Sequence, residues 1–131
     1  MEVNPTSKTR TFFVIMAAYW LVFGLITTFY PRLMDLFQTE LGRNAKTAFS
    51  NHIWLHDGLD IIAISVLLFA LSRESVSRNI LRAAAVVAAL VTFAIAYSLL
   101  STPYWSVLFV VPAIGCFFFA IWGLVLASKM K

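Results

Sequence analysis

The stretch NHIWLHDGLD, residues 51 to 60, places His52, His56, Asp57 and Asp60 at the mouth of an apolar run, IIAISVLLFAL. An ionised group there is costly unless it is solvated, paired or used. Three chemistries suit these residue types at this spacing. His52 and His56, at i and i+4, can aim at one divalent metal ion, with Asp60 a further turn along as an oxygen ligand. His56 and Asp60, also at i and i+4, can hydrogen-bond as a proton relay or pH-sensitive gate. The third chemistry is recognition without catalysis, in which an acidic, imidazole-lined mouth holds a cationic or hydroxylated headgroup, a quinone or a partner's Arg.

A helical wheel groups the four residues. At about 100° per residue, with His52 at zero, His56 lies near 40°, Asp60 near 80° and Asp57 near 140°, while Trp54 falls near 200° and Gly58 near 240°. The expectation is that the polar side looks into the bundle or a wet vestibule. Trp54 would then point away, as an anchor at headgroup level. Asp60 would lie about 10 Å into the span at 1.5 Å per residue. It should therefore take a partner: His56, a hydroxyl such as Tyr19, Thr27 or Tyr97, or a water.

The elements that must position this cluster follow from composition. The 131 residues are 61% hydrophobic and 12% charged, with a mean hydropathy of +0.87. A soluble domain carries about 25% charged residues. The chain is thus read as integral to a membrane, with the lipid bilayer as its first partner. A spanning helix needs roughly 20 mostly apolar residues. Four stretches qualify, at about residues 11–30, 53–71, 83–100 and 105–127, so the expected fold class is all-α: one four-helix transmembrane domain over residues 1–131. The first run is nearer 20 residues than the 7 to 15 of a signal peptide and lacks a small-residue cleavage site, so it reads as a retained helix.

Orientation follows from basic residues in short loops. With the N-terminus inside, the cytoplasmic segments carry seven: Lys8, Arg10, Arg73, Arg78, Arg82, Lys129 and Lys131. The external segments carry three: Arg32, Arg43 and Lys46. The bias favours both termini in the cytoplasm. The net charge of +4 then follows from topology and anionic headgroups, and needs no nucleic-acid partner.

In the first external loop, Pro31 suits a helix start and Gly42 an end, and Leu33, Met34, Leu36, Phe37 and Leu41 fall near helical spacing. This predicts a short amphipathic surface helix over about residues 32–41, with Asn44 capping the second spanning helix. Ala84 with Ala88, and Ala85 with Ala89, allow close helix approach. Pro112 and Gly115 suggest a kinked fourth helix. Hydroxyl residues in the spans are expected to bond chiefly to backbone. A single Cys, Cys116, excludes an intramolecular disulfide and any CxxC redox pair.

The order of features resembles the DoxX-like group of small four-helix membrane proteins. A first helix ends in FGLITTFYPRLMDLF, a second, HDGLDIIAISVLLFAL, passes from polar to apolar, and two plainer helices follow. The resemblance implies a four-helix bundle of unknown activity or accessory to a redox complex. The Arg-, Asn- and Glu-rich second helix of the MAPEG enzymes is not found, nor is the first-helix Glu of small multidrug exporters.

Two function classes stay open. One is a binding or accessory protein, alone, as a homo-oligomer or in a larger membrane complex, whose second-helix mouth (His52, His56, Asp57, Asp60) engages a lipid, quinone, small ligand or partner. The other is a membrane enzyme or proton-coupled carrier that uses His56 and Asp60, with or without a divalent metal at His52, His56 and Asp60.

Overall fold

The computed structural model describes residues 7–46 and 48–130, with residues 48–51 and 53 described by their backbone alone. Lys131, part of the charge bias, lies outside the described residues. The fold is an all-α bundle. Its long helices are α1 (Ser7–Phe29), α3 (Ala48–Leu71), α4 (Arg78–Ser101) and α5 (Val110–Lys129), with a short α2 (Glu40–Asn44) between the first two. Four segments of 18 to 24 residues, Ser7–Phe29, Trp54–Leu71, Arg78–Ser101 and Val107–Lys129, are long and apolar enough to cross a membrane.

Helix ends differ from the hydropathy reading because hydrogen bonding outlasts apolarity. α4 begins at Arg78, where Ser77 Oγ accepts from the Ile80 amide at 3.3 Å and caps the helix before its apolar run starts. Trp105 lies outside α5 and forms an isolated antiparallel bridge with Gln38. Pro112, one of the two residues behind the kink expected in the fourth helix, falls in the first turn of α5, directly after a 3-10 turn at Val107–Phe109.

The first connecting loop is not one helix. A 3-10 segment, Pro31–Phe37, is followed by extended Gln38 and Thr39 and then by α2. Thr39 Oγ1 accepts from the Gly42 amide at 3.2 Å, so Thr39 is the cap and Asn44 closes α2. The break at Gln38 arises from tertiary contact. The Thr39 amide donates to Tyr104 O at 2.9 Å, the Ser106 amide to Phe37 O at 2.8 Å, and Thr39 Oγ1 to Pro103 O at 2.7 Å. These bonds clasp the two loops at one end of the bundle.

Lipid is as apolar as a leucine side chain, so close packing and interhelical hydrogen bonds carry helix association. α3 lies along α1, and α5 along α4. Between α1 and α3 the backbones meet at glycines: a Cβ on Gly24 would stand 3.0 Å from Gly58 O and 2.7 Å from Ile62 Cγ1. About two turns further, buried Ser65 donates from Oγ to Ala17 O at 2.8 Å. Between α4 and α5, Leu81, Ala85 and Ala88 are buried, and a Cβ on Gly123 would stand 3.0 Å from Ala85 Cβ. Ala89, expected in this seam, is exposed. The stripe runs at i, i+4 and i+7 from Leu81. α1 and α5 meet through aromatics, with the Phe12 ring edge-on to Phe119 at 6.2 Å and to Trp122 at 5.3 Å. α3 and α4 are joined by residues 72–77 and pack little against each other.

Candidate functional site

The glycine contact fixes how α3 is rotated, and the rotation reverses the expected orientation of its polar residues. Gly58, Ser65 and Leu68 are buried against the bundle, and Trp54 and Ile61 are half-buried on the same side. On the wheel used above this inward face centres near 200°. His52, His56 and Asp60 occupy the opposite arc, and all three are exposed. Asp60 has no hydrogen-bond partner among the described residues. Tyr19 donates instead to Pro112 O at 2.8 Å, Thr27 to Phe23 O at 2.8 Å, and Tyr97 is exposed on α4.

The proposed metal set is likewise not assembled. Among the described residues no three His, Cys, Asp or Glu side chains come together as a metal site. The physical reason is axial spread: His52 and Asp60 are eight residues apart, about 12 Å along one helix, and no second helix supplies a converging ligand.

Asp57 is exposed as well, but its position near 140° puts it at the edge of the inward face, where it is one of the residues that line a cavity of about 180 Å³. The other walls come from every long helix. α1 supplies Tyr19, Trp20 and Phe23, α3 supplies Trp54 and Ile61, and α4 supplies Val91 and Ile95. Phe37, Phe109 and Cys116 complete the enclosure. The cavity therefore sits where α3 and α4 leave space between them, at the end of the bundle that carries the loop clasp.

Local sequence explains the aromatic lining. Tyr19 lies against Gly115, where a Cβ would come within 2.6 Å of its hydroxyl, so the glycine makes room for the ring and for its bond to Pro112 O. Trp105 stacks on Phe109 at 4.2 Å and meets Trp54 edge-on at 5.7 Å. Trp54 thus belongs to the cavity wall. Its side chain lies on the inward side of α3, half-buried.

Trp20 is the residue that the sequence did not single out. It is 8% exposed, lines the cavity, and its buried indole Nε1 has no hydrogen-bond partner. Among the described residues two other buried polar atoms share that condition: Thr28 Oγ1, tucked beside Gly58, and Gln38 Oε1 in the loop clasp. An unmade hydrogen bond at a buried donor costs about 1–3 kcal/mol. The signal available in the sequence was indirect. Gly24 in α1 and Gly58 in α3 mark the contact that turns α3, and Trp20 lies one turn from Gly24 on the same side of α1.

The hydroxyl residues elsewhere behave as expected for membrane helices. Thr92, Ser98 and Ser101 each donate to the carbonyl four residues earlier at 2.7 to 2.9 Å. No family model, curated protein or solved structure matches the chain.

Proposed function

We propose that this multi-pass membrane protein is a binding or accessory subunit that takes a flat, lipid-soluble molecule bearing a carbonyl, such as a quinone ring, into the cavity between α3 and α4. The observation that supports this most is Trp20, which lines an otherwise apolar, aromatic chamber and whose buried Nε1 is unpartnered. A ligand carbonyl accepts from that N–H. Tyr19, Phe23, Trp54 and Phe109 provide surfaces for a ring, since aromatic pairs favour offset or edge-on contact. Asp57 in the cavity lining accepts a hydroxyl or draws a cationic end. Because α3 and α4 pack little against each other, the entry path lies between them, from the bilayer.

The DoxX-like resemblance agrees with an accessory role, and the seven-to-three charge bias supports cytoplasmic termini. Asp60 supports association with a second copy or a larger complex, because an outward carboxylate about 9 Å beyond Trp54 needs a neighbour to satisfy it. The reading that uses His56 and Asp60 for acid/base or metal chemistry gains nothing from their exposed positions.

The test is titration of the detergent-purified protein with a short-chain benzoquinone, followed by tryptophan fluorescence and by equilibrium dialysis. Saturable binding is expected, and Trp20→Phe, which keeps the ring and removes the donor, should weaken it about tenfold. Binding unchanged in Trp20→Phe would overturn the role of the indole. No saturable binding would overturn the assignment of ligand class.

A further inference from the structure

A second chamber lies on the other side of Trp54, within the loop clasp. Its volume is about 340 Å³, and its walls include Gln38, Lys46, Trp54, Tyr104 and Trp105. It is more polar in character than the inner cavity, and it is rigidly framed. The main-chain bonds from Thr39 to Tyr104 and from Ser106 to Phe37 fix one wall, and Arg43 Nη1 holds the Gln38 carbonyl at 2.8 Å. Gly42 lets α2 press on Tyr104, where a Cβ would stand 3.3 Å from its Cα and closer still to its carbonyl oxygen.

Gln38 is 7% exposed, and its buried Oε1 accepts no hydrogen bond. A carboxamide oxygen placed there asks for an N–H or O–H donor from a ligand. Lys46 pairs with Asp35, and an ammonium has three donors, so two remain for an anion. Trp54, Tyr104 and Trp105 are the residue types enriched at headgroup level. Around the same loops Leu33, Leu36 and Leu41 are each about half exposed or more, an apolar rim that belongs against acyl chains. Donor demand, spare cationic donors and interfacial aromatics converge at one depth.

We propose that this chamber is a phospholipid headgroup site, selective for headgroups that carry a hydrogen-bond donor. The headgroup ammonium or glycerol hydroxyl donates to Gln38 Oε1, the phosphodiester accepts from Lys46 Nζ, and the connecting methylenes lie on the tryptophan rings. The site is separate from the inner cavity and does not rest on what that cavity binds.

The experiment uses the full chain, delipidated in a nonionic detergent, and measures bound dihexanoyl lipids by native mass spectrometry. Phosphatidylethanolamine, phosphatidylglycerol and phosphatidylcholine form the three arms, because choline has no donor. Either of the first two should bind about tenfold better than phosphatidylcholine, the gain expected when a buried acceptor receives its missing hydrogen bond. The two donor arms separate an ammonium from a hydroxyl as the preferred group. Gln38→Met should bring all three within twofold of one another. Equal binding of phosphatidylcholine by the unaltered protein would overturn the proposal without any variant being made. Competition by free O-phosphoethanolamine at the concentration of the lipid would overturn the assignment to a membrane lipid.

Discussion

Three residues along α3, about 4.5 Å of helix, separate two exposed aspartates. Asp57 lines an aromatic cavity, and Asp60 faces outward with no partner among the described residues. Their chemistry is the same. What differs is the angle at which the helix is set, and small residues far less conspicuous than the charges set that angle. Gly58 against Gly24, and Ser65 against the Ala17 carbonyl, decide which carboxylate belongs to the site.

The comparison breaks most completely at Gly58. A Cβ there would meet the Thr28 amide nitrogen at 2.8 Å and Gly24 O at 3.1 Å, both backbone atoms that cannot swing aside. Gly58→Leu should separate α1 from α3 at a cost of about 3 kcal/mol or more, as overpacking does at its upper end. Thermal unfolding in detergent would show it, and a variant with unchanged Tm would mean that the glycine contact does not set the rotation.

Parallel substitutions at the two aspartates sharpen the contrast. In the isolated monomer, Asp60→Leu removes an unsatisfied carboxylate from an outward, apolar surface, so the chain should gain about 1–3 kcal/mol in a bilayer mimetic at high dilution. Benzoquinone binding should stay within twofold. Asp57→Leu should change that binding by about fivefold or more, because it alters the lining of the cavity, while its effect on Tm should be the smaller of the two. Isothermal titration beside thermal unfolding gives both readings, and identical behaviour of the two variants would erase the distinction between the faces.

The smallest effect is expected at Ser65. Ser65→Ala loses one interhelical hydrogen bond, and such bonds in membranes average about 0.6 kcal/mol with a maximum near 1.7. The glycines should therefore keep α3 in place, and Ser65→Ala should retain both cavity binding and the exposure of Asp60 to water-soluble carbodiimide.

Legibility in the sequence divides along the same physical line. Four long apolar runs are a property of composition within each segment, so the bundle and its helix count could be read directly. The fate of the polar cluster could not, because the wheel gives relative angles within α3 and no reference to its neighbours. The wheel groups His52, His56, Asp57 and Asp60 on one side; all four are exposed, and Asp57 alone of them lines the inner cavity. Directing that side inward assumed that polar residues steer a helix, whereas Gly24, Gly58 and Ser65 steer this one. Trp105 falls outside the fourth spanning helix for a related reason. It belongs to the loop clasp, which pairs residues more than sixty positions apart and has no signature in either loop alone, while Asn44 ends the short α2 that Thr39 caps. Trp20 and Gln38 were overlooked because nothing about an unpartnered polar atom is visible before its surroundings are known.

The loop clasp has one more consequence, which concerns how this chain can change over generations. Its bonds are made by main-chain amides and carbonyls, with two hydroxyls from Thr39 and Ser106 in support. Main-chain groups persist whatever side chain is attached, so Leu33, Leu36, Phe37 and Phe109 can drift without loosening the frame, Gly42 being the fixed point. The two chambers on either side of Trp54 can then be recarved independently of the scaffold that holds them. A lineage built on this clasp is free to exchange one ligand for another while its architecture stands still.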